Sequence, residues 1–205
     1  MGWYEDRVLP RMIDLVMDTG PMRKLRVKTA EPLAGTVLEI GFGTGLNLPH
    51  YPAAVTQVLA VDPAMLGRTL AAERLKAVSF DVDFVGLDGQ AVELPDASVD
   101  AALCTWTLCT IPDADRALKE VQRILKPGGA LRFVEHGRHP QDGVARWQDR
   151  FNPVQKFFAG GCNLNRRIDA LIRDSGFELE ELETFGMPGP KVMTWTYLGT
   201  ARRQD

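Results

Sequence analysis

The sequence predicts an α/β protein whose sheet is mainly parallel and covered by helices on both faces. Three observations carry the prediction. Short apolar runs rich in Val, Leu and Ile alternate with segments of Ala, Leu, Glu, Lys and Arg, so strand and helix patterns follow one another along the chain. The connections between them are short and punctuated by Gly, Pro and Asp. The composition, 205 residues with 45% hydrophobic and 25% charged, supplies a core and lies near the globular average.

The elements follow in order. From Glu5 to Asp18 the apolar positions Val8, Leu9, Met12, Ile13, Leu15 and Val16 recur at helical spacing, and Gly20-Pro21 stops this leading helix. The basic stretch Arg23, Lys24, Arg26, Lys28 reads as a solvated connector. Val37 to Ile40 is a short buried strand ending at Gly41, and Gln57 to Val61 a second ending at Asp62-Pro63. Between them, Gly45 to His50 has room for only a short helix before Pro52. A helix over Ala64 to Ala77 leads to a third strand, Val82 to Val85, and Val99 to Cys104 is a fourth. Asp113 and Asp115 open a helix with Ala117, Leu118, Val121, Ile124 and Leu125 on its apolar face, and Pro127-Gly128-Gly129 closes it. Ala130 to Glu135 is the fifth strand. Gly143 to Ala159 reads as an aromatic-rich helix interrupted by Pro153, and Arg166 to Asp174 as another. Phe177 to Thr184 and Val192 to Leu198 read as a final antiparallel strand pair.

Composition also bounds the partners. With 24 Lys and Arg against 27 Asp and Glu, a net charge of −3, nucleic acid is not an expected partner. Cys104, Cys109 and Cys162 are odd in number and form no C-x-x-C pair, which predicts neither a disulfide framework nor a cysteine zinc site and fits a reducing compartment. No apolar run of about 20 residues occurs, and the first residues carry acid where a signal peptide carries base. The expectation is a soluble, cytoplasmic chain without a membrane anchor, acting on a small molecule.

The sharpest motif is Val37-Leu38-Glu39-Ile40-Gly41-Phe42-Gly43-Thr44-Gly45, an apolar strand feeding a glycine turn where backbone approaches a ligand closely. Its spacing is G-x-G-x-G, and Leu46 stands where a nicotinamide fingerprint has its last glycine. Glu39, two residues before the first glycine, suits a ligand bearing an ammonium group better than a bare pyrophosphate. Asp62 follows the glycines by about 20 residues, the spacing of a ribose-binding acid. Its carboxylate can accept from both ribose hydroxyls; capping the next helix is the alternative.

These residues resemble the cofactor half of the class I S-adenosylmethionine-dependent methyltransferases. Glu39 to Asn47 is similar to motif I, Ser98 to Cys104 to the fourth-strand motif, and Leu125-Lys126-Pro127-Gly128-Gly129-Ala130-Leu131 to the segment entering strand five. The match runs over roughly residues 35 to 136. It implies a Rossmann-like seven-stranded sheet in the order 3-2-1-4-5-7-6, with S-adenosyl-L-methionine as cofactor. It also implies a cofactor site of Glu39, Gly41, Gly43, Gly45, Asn47, Asp62, Pro63, Asp88, Gly89, Gln90, Cys104 and Thr105. Where the family often has Gly-Asp-Ala after strand three, this chain reads Gly86-Leu87-Asp88-Gly89-Gln90, so either Asp88 or Gln90 meets the adenine. One methyltransferase domain, 1–205, is expected: a leading segment (1–34), a cofactor core (35–136), substrate-side helices (137–175) and the terminal strand pair (176–205).

Cys104 to Cys109, Glu135-His136-Gly137, Phe158 to Arg166 and Leu9 to Asp14 narrow the resemblance to the thiol methyltransferase branch and its bacterial relatives. That branch implies methyl transfer to a small, rather apolar acceptor, a thiol first. An amine, a lipid headgroup or a quinone-like ring is the alternative acceptor, and a protein that binds the cofactor without catalysis is the rival from another class. Methyl transfer from a sulfonium needs mainly alignment and exclusion of water, and a thiol of pKa about 8.5 ionises readily. His136, after strand five, is the expected catalytic residue acting on a substrate proton, with a hydrogen-bonded strand-end histidine as the alternative. His50 and His139 are expected in solvent, and Arg166 and Arg167 at the surface. Cys104 and Cys109, either of which could face the methyl group, read as small buried hydrophobes, and Trp147, Phe151, Phe157 and Phe158 as core or pocket lining. No histidine or acid cluster has metal-ligand spacing, which predicts no metal.

Overall fold

The computed structural model describes residues 14–204. A seven-stranded sheet in the order β3-β2-β1-β4-β5-β7-β6 organises them. Strands β1 (Gly35–Ile40), β2 (Val55–Val61), β3 (Asp81–Gly86), β4 (Val99–Thr105) and β5 (Leu125–His136) run parallel. β7 (Trp195–Arg203) is antiparallel to both β5 and β6 (Phe177–Gly186). The last four residues of β1 and the last five of β4 are buried, as expected for central strands covered on both faces. All the parallel strands therefore end on one edge, and the strand order reverses between β1 and β4.

Besides a helical stretch at residues 14–17, seven α-helices follow among the described residues: α1 (Gly20–Ala30), α2 (Met65–Leu70), α3 (Ala72–Ala77), α4 (Ala114–Ile124), α5 (Asp142–Phe158), α6 (Ile168–Asp174) and α7 (Lys191–Thr194). α4 shows why its sequence folds this way. Asp113 caps it by accepting from the Arg116 N–H at 3.0 Å, and Ala117, Leu118, Val121 and Ile124 recur on one face, all buried.

Several boundaries differ from expectation. Most of the predicted leading helix lies outside the described residues, and residues 14–17 are helical. Gly20-Pro21 opens α1 rather than ending a pattern, because a proline in the first helical turn sacrifices no hydrogen bond. The basic stretch is therefore helical, and Arg26 within it is buried. The expected helix after Pro63 is two, α2 and α3, meeting at the fully buried Ala71. α4 ends at Ile124, not at Pro127: Leu125 already pairs with Val99, and the register shifts before Ala130. α5 runs on through Pro153, forgoing one helical hydrogen bond there. Val192 belongs to α7, so β7 starts at Trp195. Gly45 to His50 makes a single 3-10 turn at Leu48–His50.

Candidate active site

At the end of β1 the chain turns through Gly41, Gly43 and Gly45 at φ of +79°, +57° and +74°, a region where a side chain is strained. At Gly41 a Cβ would also strike the Thr107 side chain at 2.0 Å, whereas Gly43 faces open space. Gly41 thus lets the turn pack, and Gly43 lets a ligand approach backbone.

Beside this turn lies a buried polar network. Glu39 is fully buried and accepts from Asn47 Nδ2 at 2.7 Å and from the Tyr51 hydroxyl at 2.6 Å. Asn47 also donates to Thr105 Oγ1 at 3.0 Å. The Arg26 guanidinium reaches in from α1, donating through Nη1 to Asn47 Oδ1 at 2.7 Å and to Thr105 Oγ1 at 3.0 Å. Its Cζ lies 4.8 Å from the Trp106 ring centroid, and its Nε is buried without a hydrogen-bond partner among the described residues. Burial raises Glu39 to about 7, against the Tyr51 and Asn47 hydrogen bonds. Burial likewise lowers Arg26 to about 10, against the Glu39 charge. A buried acid and a buried base side by side match the ammonium and carboxylate of an amino-acid zwitterion.

Asp62 ends β2. It accepts from the Gly43 and Ala64 N–H groups, each at 2.7 Å, so it ties the glycine turn to the second strand. Burial raises its pKa, and these two backbone bonds oppose the rise. Each oxygen keeps a lone pair for a ribose hydroxyl. Pro63 next to it is exposed. Beyond β3, Asp88 is exposed and accepts from both the backbone N–H and the side-chain amide of Gln90, each at 2.8 Å. Gln90 Oε1 in turn accepts from the Asp113 N–H at 2.9 Å. Asp88 and Gln90 therefore act as one unit, joined through Asp88 Oδ1 and both ends of the Gln90 amide. A Cβ on Gly89 would crowd Ile40 at 3.1 Å.

At the ends of β4 and β5 a second group forms. Glu135, fully buried, accepts from the backbone N–H groups of Thr107, Leu108 and Cys109 at 2.7, 2.9 and 3.4 Å. It is held next to Cys104, whose Sγ lies 3.5 Å away and whose thiol is pushed well up by burial and by the Glu135 charge. Trp106 takes a left-handed φ of +51° to enter this turn. The next residue of β5, His136, places Nε2 2.7 Å from Cys162 Sγ. Cys109 completes the cluster: the two sulfurs and a His136 ring nitrogen all lie within 4.8 Å of one another. The Cys109 thiol, first, and His136 bring Cys162 down to about 5, against the opposing effect of burial. Burial works to lower His136, but its contact with Cys162 outweighs that and raises it.

The structure corrects several surface and core expectations. His139 is buried, its ring tilted at 54° against Trp195 with centroids 4.4 Å apart, and its Nδ1 accepts from the Gln141 N–H at 3.0 Å. Arg166 donates to the Leu108 and Ile111 carbonyls instead of facing solvent, whereas Arg167 is exposed beside Asp169. Trp147, Phe151, Phe157 and Phe158 are 47 to 77% exposed and lie outside the core. His50 is half-buried rather than solvated. The absence of metal-ligand spacing does not extend to space, where Cys109, His136 and Cys162 converge. Arg26, Tyr51, Glu135 and Cys162 join the site without having been singled out for it by sequence. Only Tyr51, following Glu39 through the same turn, carried a local signal.

The comparisons bear on this geometry. A family model described as "Methyltransferase domain" matches residues 38–133. Thiol S-methyltransferase TMT1B of Rattus norvegicus is 35% identical over 170 residues, covering 77% of this chain and 68% of the rat protein. The chain belongs to the class I S-adenosylmethionine-dependent methyltransferases. S-adenosyl-L-methionine is its cofactor, and the zwitterion-matched network, the open face of Gly43 and the Asp62 carboxylate fit that molecule. A demethylmenaquinone methyltransferase from Renibacterium salmoninarum is 33% identical over 125 residues, 60% of this chain and 51% of its own. Among solved structures, the cyclase SpnF superposes with a TM-score of 0.72 at 25% identity, over 89% of this chain and 81% of SpnF. No helix among the described residues is long and apolar enough to cross a membrane.

Proposed function

We propose that this enzyme methylates a small, rather apolar thiol. The observation that carries the reading is the 35% identity, over 77% of the chain, to a protein named as a thiol S-methyltransferase. Glu39 and Asn47 hold the cofactor's ammonium group, Arg26 its carboxylate, Asp62 the ribose, and the Asp88–Gln90 unit the adenine. Thr105 and Cys104, at the end of β4, lie between that cradle and the acceptor side, and Gly41, Gly45, Pro63 and Gly89 shape the walls. The bound cofactor supplies a methyl group on an already activated sulfonium leaving group, so the chain's task is alignment and dryness. His136 and Cys162 take up the acceptor's proton at the end of β5. A thiol needs little help beyond that, since its pKa of about 8.5 lies close to neutrality.

The test supplies methyl-labelled cofactor with alkyl thiols, amines, phenols, a phosphatidylethanolamine and a quinol. Label in the thioether alone is the expected result. Label confined to the lipid or the quinol would overturn the thiol reading. Bound cofactor with no labelled product from any of them would do so too, and would favour the non-catalytic binder.

A further inference from the structure

The group Cys109, His136 and Cys162 invites a use that proton transfer does not exhaust. Its two sulfurs and one imidazole nitrogen come from three separate stretches yet lie within 4.8 Å of one another, and both cysteines are buried. Neither cysteine is in a disulfide. A zinc ion held by sulfur at about 2.3 Å and nitrogen at about 2.0 Å needs donors about 3.5 to 3.8 Å apart. The present 2.7 Å contact between His136 and Cys162 would open by roughly 1 Å to admit it.

The surroundings are built to hold these donors in place. Gly160 and Gly161 take φ of +58° and +90°, a left-handed entry that turns Cys162 inward. Asn163 then pins the Cys162 loop to the Cys109 turn, its backbone and side-chain N–H groups donating to the Cys109 carbonyl at 2.8 and 2.9 Å. Arg166 clasps the same turn from the other side through the Leu108 and Ile111 carbonyls. Glu135 fixes it from below through three N–H groups. Such outer contacts are what orient metal ligands.

We infer that Cys109, His136 and Cys162 form a zinc site with three protein ligands and a fourth position for the acceptor thiol. A mixed nitrogen and sulfur set suits a borderline ion, and three ligands with one place open is the pattern of catalytic zinc. Two thiolates and a neutral imidazole cancel the ion's charge. In the zinc-loaded enzyme this replaces proton uptake by His136 and Cys162: the acceptor binds as thiolate and its proton passes to solvent. Its sulfur forms the new bond to the methyl carbon as the bond from that carbon to the sulfonium breaks, and the neutral thioether departs. The fourth-ligand assignment rests on the thiol reading above; the three-ligand site stands on geometry.

The experiment strips the purified full-length enzyme with a chelator under reducing conditions and titrates it with zinc or cobalt(II). Elemental analysis gives stoichiometry, and the cobalt form gives a visible spectrum that reports thiolate ligands. One equivalent is expected, with thiolate-to-cobalt charge transfer. Cys109→Ser, Cys162→Ser and His136→Ala should each weaken uptake about 100-fold, and His139→Ala should leave it unchanged. Cofactor binding by each variant shows that it is folded. Zinc should also protect Cys109 and Cys162 of the unaltered enzyme from alkylation. Uptake below a tenth of an equivalent, a cobalt spectrum without thiolate bands, or uptake indifferent to all three substitutions overturns the site. Thiol methylation is followed on the same samples. Metal bound with no thiol methylated leaves the site standing and removes the acceptor, whereas methylation undiminished in metal-free enzyme removes the acceptor from the zinc's fourth position.

Discussion

The cradle at the ends of β1 and β2 draws Glu39, Gly41, Gly43, Asn47 and Tyr51 from one stretch of the chain, while the cluster at the ends of β4 and β5 assembles Cys109, His136 and Cys162 from three. The first is a network of oxygens and nitrogens around two opposite charges; the second is mostly sulfur. Thr105 and Trp106 stand between them, touching Arg26 on one side and continuing into the Glu135-bound turn on the other. On the function proposed above, this sheet edge separates two tasks, holding a fixed cofactor and ionising an acceptor, each with its own charge chemistry.

The separation can be broken by substitution. His136→Ala should lower turnover by about 100-fold or more while the cofactor's Kd stays within twofold, read by steady-state kinetics and calorimetry. A parallel loss of cofactor affinity would merge the two regions. Glu135→Ala leaves the N–H groups of Thr107, Leu108 and Cys109, the last two buried, without an acceptor and should cost about 3 kcal/mol of stability, measured by denaturant unfolding. Asp62→Ala should weaken cofactor binding by roughly 1.5 to 3 kcal/mol, and unchanged affinity would remove Asp62 from the cradle.

A subtler effect sharpens the comparison through pH. Glu39 is raised by burial to about 7 from an ordinary value of 4.5. The free protein has the full benefit of a protonated Glu39 below pH 4.5 and loses it, about 3 kcal/mol, as pH rises to about 7. A bound ammonium reverses this by favouring the carboxylate. Cofactor affinity should therefore climb nearly tenfold per unit as pH rises from 5 to about 7, with proton release on binding, then level off. Glu39→Gln should flatten that slope. Equal slopes in both proteins would exclude Glu39 as the ammonium partner.

Legibility followed the same division. The glycine turn and Asp62 were readable because a tight turn and a strand-terminal acid need particular residues at fixed spacings, and the strand order came with them through the family resemblance. The cysteine cluster was not, since 53 positions separate Cys109 from Cys162 and tertiary contacts such as those of Asn163 and Arg166 bring them together. Arg26 was misread for a related reason. Among four basic residues in six positions, only packing of α1 onto the sheet distinguishes the buried one. The aromatic residues of α5 were misplaced because hydrophobicity alone does not say which face a neighbour covers.

The unpartnered Nε of Arg26 has a thermodynamic consequence. A buried donor without an acceptor costs about 1 to 3 kcal/mol, and the unbound enzyme bears that cost continuously. A ligand carboxylate that accepts from it removes a standing penalty as well as adding a contact, so the protein's melting temperature should respond to cofactor more steeply than its contact area suggests.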